Sequence, residues 1–196
     1  AESIMEVLAQ PPLAILKDTK LSPAQFAGPI DARVKISRPN LSVAPEDSYR
    51  YEGTARFSGL RVDAIFNDVD LEEAAGVLTL RTNGLSVTGK GRLASAPVSF
   101  DWRQRFYGAG DKTYLALSGV ADSSAADLFG MPTRQLVQGE VAFKAIAKGE
   151  LAAFRTLDVD ADFANASLVV ERLGWLKPKG VPAAGTATIT FGAEGI

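Results

Sequence analysis

The sequence predicts a mainly β protein, built on a long, curved antiparallel sheet with the shape of a groove or a taco. Three observations lead to this prediction: apolar and polar residues alternate from Pro29 onward, Gly-containing turns separate the alternating runs, and each run has one apolar face. Such two-faced strands are typical of antiparallel sheets that expose one side to water. Short helices are expected at the N-terminus and near residues 124–130.

Residues 1–28 are predicted to form a helical segment ahead of the sheet. Ser3–Gln10 has a helical composition and is followed by two prolines. Ser22 and Gln25 have the spacing of a capping box, and Gly28 is placed to end the short helix that they begin.

Residues 29–196 are predicted to form an antiparallel β meander. The whole chain, 1–196, is interpreted as one domain because no linker-like composition interrupts it. The alternating runs, about ten at the spacing of a meander, contain their apolar residues within 30–36, 49–57, 78–80, 85–87, 98–102, 115–117, 137–145, 157–163, 168–170 and 187–191. Asn83-Gly84 is the strongest hairpin signal, because both residues tolerate a positive φ.

Composition narrows the chemistry that this chain can perform. Histidine and cysteine are both absent, which excludes a Ser-His-Asp triad, cysteine nucleophiles and thiolate or imidazole metal sites. The formal net charge of −2 provides no strong positive field for nucleic acid. Composition leaves carboxylate pairs, lysine bases and oxygen-ligated metals open, but nothing places a second catalytic group opposite the acidic residues near 68–73. We expect a non-catalytic protein with no metal, no cofactor and no nucleic-acid partner, and an enzyme is the third alternative.

Two stretches resemble ligand-binding loops but are better explained as strands. Gly84–Lys90 matches the G-x-x-x-x-G-K phosphate loop, yet Gly91 stands where Ser or Thr is needed and the alternation continues through it. Asp158, Asp160 and Asp162 resemble the start of a calcium loop without its central Gly bend or its closing Glu. On a strand these carboxylates would lie about 6.8 Å apart on a solvated face.

Two aromatic segments are candidates for the rim or the end plug of a groove. Trp102, Arg103 and Arg105 suit a charged outer strand face, an anionic lipid headgroup or a stacked nucleic-acid strand. Trp175 and Lys177 lie in a Pro- and Gly-rich loop that breaks the alternation. There a Trp could plug the end of the sheet or sit at an apolar–polar boundary.

Three parts of the chain occur together in a characteristic order: residues 12–28 leading into a strand at 29–38, the stretch Gly76–Trp102, and an Asp-rich strand at 160–166 followed by Leu173–Pro178. Together they resemble the AsmA-like superfamily, nearest its YhdP-type periplasmic region, with TamB as a more distant relative. The resemblance implies a segment of a longer periplasmic protein of Gram-negative bacteria, tethered to the inner membrane by a part outside this chain. It also implies a curved β groove that carries phospholipid between the two membranes and serves outer-membrane homeostasis.

Two functional hypotheses remain open on the residues alone. The first is a groove that binds phospholipid or another acyl-chain lipid and joins flanking segments of the same full-length protein. Its expected lining is aliphatic and aromatic: Val34, Ile36, Phe57, Leu80, Val98, Phe100, Leu115, Leu117, Val141, Phe143, Val159, Phe163, Val170 and Ile189. The second is a closed β-sandwich, acting as a scaffold or protein-interaction module in cell-envelope assembly, whose edge strands recruit partners by strand addition.

Overall fold

A computed structural model describes residues 1–9, 21–40, 48–66, 69–122, 136–150 and 153–192. Helix α1 spans Glu2–Ala9 and a 3-10 turn follows at Pro23–Gln25. The predicted cap is present, because the Ser22 N–H donates to Gln25 Oε1 at 2.7 Å. Gly28 ends this segment with a φ of +112°. The helix predicted near 124–130 lies outside the described residues.

None of the helices in the described ranges is long and apolar enough to cross a membrane.

Most of the described chain forms β-strands, as the alternation predicts. Their bounds are β1 Phe26–Ala27, β2 Ile30–Ser37, β3 Arg50–Phe66, β4 Val69–Arg81, β5 Gly84–Leu93, β6 Ala96–Arg105, β7 Thr113–Ala121, β8 Val137–Gly139, β9 Val141–Glu150, β10 Ala153–Asp162, β11 Ala166–Val170, β12 Trp175–Lys177 and β13 Ala184–Thr190. The first strand thus begins inside the segment 1–28, which the sequence predicts to be helical, and not after it.

One large antiparallel sheet dominates the fold and confirms the predicted fold class. Its order is β1-β3-β4-β5-β6-β7-β9-β10-β13, and β2 pairs with the same edge of β3 as β1 does. This ten-stranded sheet is open, with β2 and β13 at its two edges. The remaining strands form a small antiparallel sheet in the order β12-β11-β8.

Bulges bend the β3–β4 and β4–β5 pairs. The β3–β4 register shifts between Phe57 and Leu60, between Leu60 and Val62, and between Val62 and Phe66. The β4–β5 register shifts between Glu72 and Ala75. Glu73 has a φ of 50°, which is uncommon for a side-chain-bearing residue and typical of an irregular site. Since bulges kink a strand and increase its local twist, this part of the sheet bends sharply.

The β4–β5 hairpin is confirmed, but the reason given for it is wrong. Arg81 pairs with Gly84, so the loop is Thr82-Asn83, and neither Asn83 nor Gly84 has a positive φ. Tyr51 N–H instead donates to the Thr82 hydroxyl at 3.0 Å and ties this loop to β3. The two-residue loop with positive φ is Ala94-Ser95, between β5 and β6.

Two apolar clusters form the core, and both lie at the β3–β6 side of the sheet. The first centres on buried residues of the bent region: Leu60, Val62, Val69, Leu71, Ala74, Leu93 and Val98. The second lies toward the opposite ends of these strands and centres on Tyr51, Leu80, Leu85 and Val87. Phe57 and Phe100 pack against both clusters and join them.

Candidate functional site

The strand register places nearly all of the predicted apolar residues on one side of the large sheet. Residues that face each other across antiparallel strands point to the same side. One such row crosses the sheet through Leu78, Val87, Trp102, Leu115, Ala147, Leu157 and Ile189. We call this side the apolar face. The opposite side, the polar face, carries mainly Thr, Ser, Asp, Lys and Arg side chains.

Most of the predicted lining residues lie together on the apolar face. They are Val34 and Ile36 on β2, Phe57 on β3, Leu80 on β4, Val98 and Phe100 on β6, Leu115 and Leu117 on β7, Val141 and Phe143 on β9, Val159 on β10 and Ile189 on β13. Phe163 follows β10, and its ring lies beside Gly185 of β13. Val170 is separate, because it belongs to the small sheet, opposite Trp175.

Exposure of the apolar face is lowest at β4 and β5 and rises toward both edges, to 43% and 49% for Val34 and Ile36 on β2. Leu80 on β4 is 2% exposed and its neighbour Leu85 on β5 is also buried. Leu117 on β7 and Val159 on β10 are half-buried, and Ile189 on β13 is 41% exposed. On β7 and β9, Leu117 and Phe143 are partly exposed and pack against the first cluster at their inner side, and Ala147 is buried. The larger apolar side chains of β10 and β13 are covered by neither cluster.

The open half of the apolar face is therefore the part formed by β7, β9, β10 and β13. Its larger side chains are Leu115, Leu117, Val141, Phe143, Leu157, Val159 and Ile189. Among the described elements, these four strands make extensive contacts only with their neighbours in the same sheet. The small sheet makes its extensive contacts only within itself.

Aromatic rings that lie over glycines cover the other half of the apolar face, at β3–β6. Gly76 and Gly89 pair with each other across β4 and β5. A Cβ added at Gly76 would lie 2.8 Å from Phe57 Cζ, and one added at Gly89 would lie 2.7 Å from Phe100 Cζ. The two rings thus lie down over the glycine backbone, so they close the surface at β3–β6.

The predicted rim residues Trp102, Arg103 and Arg105 lie in three different environments. Trp102 is on the apolar face and packs against the Tyr51 cluster. Arg103 is on the polar face, where its guanidinium contacts Asp101 and lies 5.4 Å from the ring centre of Tyr114. The hydrogen bond from Arg103 to Asp101, with the attraction of that carboxylate, raises the pKa of the arginine.

Arg105 organises the loop between β6 and β7. Its Nη2 donates to the carbonyl oxygens of Ala109 and Asp111, at 3.1 and 2.7 Å. The Asp111 carboxylate in turn accepts from Arg155 Nε of β10 at 2.8 Å. These contacts hold the loop against the end of β10.

Of the two residues in the second predicted plug, Trp175 is exposed and Lys177 is buried. Trp175 is 49% exposed on β12 and belongs to neither apolar cluster. Lys177 is only 5% exposed, and so it does not form a rim. Its Nζ donates to the carbonyl oxygens of Phe163 and Ala166, the latter at 2.6 Å, and fastens β12 to the turn after β10.

Both loop-like motifs are strands, as interpreted from the sequence. Gly84–Lys90 lies within β5, and the three aspartates lie on the polar face of β10. Asp158 accepts a hydrogen bond from the Thr188 hydroxyl at 2.8 Å, and Asp162 accepts one from the Ala164 N–H. In the part of the chain that the structure describes, acidic residues form no group that could hold a metal ion.

Charge differs between the two ends of the open half. The end where β7 begins and β9 finishes carries Arg105 and Lys148 at polar-face positions, and Lys112 and Arg155 in ion pairs with Glu150 and Asp111. Lys112 Nζ lies 3.6 Å from Glu150 Oε2. The end where β7 finishes and β9 begins carries Asp122, Glu140 and Asp162. The described residues therefore make the first end basic and the second acidic.

The expected lining, which was drawn from larger side chains, left out the glycine and alanine positions that also shape this surface. Gly119 lies between Val98 and Phe143, which approach a Cβ added there at 3.3 and 3.4 Å. Ala145 and Ala147 of β9 also lie on the apolar face. Their signal in the sequence is the alternation itself, in which small residues occupy apolar positions.

No protein-family model, curated protein or solved structure matches this chain. The candidate site therefore rests on the geometry of the sheet.

Proposed function

We propose that this chain binds the acyl chains of lipids on the open half of its apolar face. The observation that carries the proposal is the partly exposed apolar surface shared by β7, β9, β10 and β13. Contiguous apolar surfaces of this kind are rare on proteins unless they bind something. The proposed activity is binding without catalysis.

The energetics suit hydrocarbon chains. Each methylene group removed from water contributes about 0.8 kcal/mol, so a few methylenes laid against these side chains give useful affinity. The hydrophobic effect has no directional requirement. A surface of Leu, Val, Ile and Ala can therefore accept acyl chains of different lengths and allow them to slide.

The dimensions also suit acyl chains. Strands of ten residues, such as β9 and β10, are about 34 Å long at 3.4 Å per residue. The acyl layer of one membrane leaflet is about 15 Å thick, half of the hydrocarbon core. An acyl chain can therefore lie along a strand with its headgroup at one end of the sheet.

The charge difference supports an orientation for the lipid. An anionic headgroup is attracted to basic side chains, which are concentrated near Arg105, Lys112 and Arg155. The acidic end around Glu140 and Asp162 repels the same headgroup. We place a phospholipid with its phosphate at the basic end and its acyl chains on Leu115, Leu117 and Val159.

The resemblance to the AsmA-like superfamily supports a wider role. In this proposal the chain is a periplasmic segment of a longer protein tethered to the inner membrane. Its open half would be one part of a groove that carries phospholipid between the inner and outer membranes. The closed-sandwich alternative is not favoured, because in the described part of the chain the strands of the small sheet make no extensive contacts with those of the large sheet.

A fatty-acid titration with paired variants tests the proposal. Ile189 and Val120 are both β-branched, and they are 41% and 40% exposed on opposite faces of the sheet. We expect Ile189→Asp to weaken binding of a fluorescent fatty acid about tenfold, a loss of about 1.4 kcal/mol, because it places a charge on the apolar face.

Val120→Asp is the matched control, since it adds the same charge on the polar face. It should leave the affinity unchanged. Circular dichroism and the urea midpoint establish that both variants remain folded. If the wild type does not bind, or if both variants bind equally well, the proposal is wrong.

A further inference from the structure

The outer edge of β13 is a row of backbone groups available for pairing. Phe163 N–H donates to Ala183 O, and Phe191 N–H donates to Arg155 O. These bonds, together with the β10–β13 register, direct the backbone groups of the odd-numbered residues toward β10. In an antiparallel ladder the alternate residues point away, so those of Ala184, Thr186, Thr188 and Thr190 point outward. Among the described residues, no strand pairs with this edge.

β13 also lacks the usual features that protect a sheet edge. Its sequence, Ala-Gly-Thr-Ala-Thr-Ile-Thr, contains no charged residue and no proline. Edge strands commonly carry charges, prolines or bulges that prevent pairing with another chain. The opposite edge, β2, carries Asp31, Arg33 and Lys35.

The strand is complementary to itself. In an antiparallel pair of two β13 strands centred on Ala187, Thr186 faces Thr188 of the second copy and Ala184 faces Thr190. These are the residues whose backbone groups point outward, so each such pair can exchange two hydrogen bonds. Gly185, which has the Phe163 ring beside it, then faces Ile189 of the second copy on the apolar side.

We propose that β13 binds the β13 strand of a second copy of this chain, antiparallel and about a two-fold axis at Ala187. Such an interface uses the same strand on both partners, as a two-fold symmetric dimer requires. Both open halves lie on the same side of the joined sheet, so the dimer doubles the width of the apolar surface. The inference does not depend on the proposed lipid function, because the hydrogen bonds form with or without lipid.

Two variants of Thr188 test the pairing. Both Thr188→Pro and Thr188→Val lose the hydroxyl that contacts Asp158, but only the proline loses the outward N–H. Proline is tolerated on an edge strand where its N–H faced solvent, so the β10–β13 ladder is retained. Light scattering after size exclusion should give a dimer for the wild type and for Thr188→Val at about 100 μM, a concentration that populates even weak specific complexes. Thr188→Pro should be monomeric.

Cysteine scanning tests the register in a chain that has no cysteine of its own. Ala187→Cys places two thiols opposite each other in a non-hydrogen-bonded pair, where the Cα atoms are about 4.5 Å apart, within the range for a disulfide. Under mild oxidation it should form a covalent dimer at least tenfold more than Ala184→Cys, whose thiols lie at opposite ends of the pairing. A monomeric wild type, a dimeric Thr188→Pro variant, or equal cross-linking of the two cysteine variants would overturn the proposal.

Discussion

One buried residue, Lys177, attaches the small sheet to the turn after β10. The Lys177 ammonium has no carboxylate partner among its described hydrogen bonds and instead holds two main-chain carbonyl groups, of Phe163 and Ala166. Hydrogen bonds from a charged donor are stronger than neutral ones, and a buried carbonyl left without a donor is costly. This lysine therefore has a structural role, which its position in a Gly- and Pro-rich loop did not indicate.

Replacing this ammonium should destabilise the protein. We expect Lys177→Met, which keeps the length of the side chain, to lower the free energy of unfolding by about 2 kcal/mol, because the buried Ala166 carbonyl loses its charged donor and the Phe163 carbonyl keeps only the Ala166 N–H. Urea denaturation measures the loss. Lys179→Met, at an exposed position two residues away, should change stability by less than about 0.5 kcal/mol. Equal stability of Lys177→Met and the wild type would contradict this account of the site.

At the scale of elements, the alternation predicted the strands well because the side-chain period fixes which residues share a face. It did not predict the bulges near Leu60 and Glu73, which depend on how β3, β4 and β5 fit one another. It also did not predict the Ala94-Ser95 turn, because neither residue type favours a positive φ. Asn83-Gly84 carried the stronger local signal, but the contact between Tyr51 and Thr82 sets the loop there.

The Ala94-Ser95 turn predicts a stabilising replacement. Both residues have positive φ, 49° and 66°, which costs about 1 kcal/mol or more for each residue with a Cβ. An Asn-Gly dipeptide in their place, made by the double substitution Ala94→Asn and Ser95→Gly, should raise the free energy of unfolding by about 1–2 kcal/mol. The urea midpoint should rise accordingly.

The matched control places the same dipeptide in the loop of the β4–β5 hairpin. Thr82→Asn with Asn83→Gly should give no gain, because that loop has no residue with positive φ and loses the Tyr51 contact. Equal stabilisation by both replacements would mean that general turn propensity, and not backbone strain at 94–95, explains the result.

At the scale of the whole molecule, the sequence predicted an apolar face but not whether that face is open or covered by a second sheet. Alternation is the same for a closed sandwich and for an open sheet, because both bury one side of each strand. The difference comes from pairings between distant strands, such as β7 with β9 and β10 with β13. It comes also from Phe57 and Phe100 lying over glycines of neighbouring strands, which close one half of the face and leave the other open.

The central claim is that lipid lies on the open half of the apolar face. Its most direct test is photo-cross-linking with a photoreactive amino acid, placed at Leu115 on the apolar face of β7 and, in a separate protein, at Val120 on the polar face of the same strand. Both proteins are illuminated with phospholipid vesicles and analysed by mass spectrometry. We expect a phospholipid adduct at position 115 and none at position 120. Equal adducts at both positions, or none at 115 in a folded protein, would contradict the account.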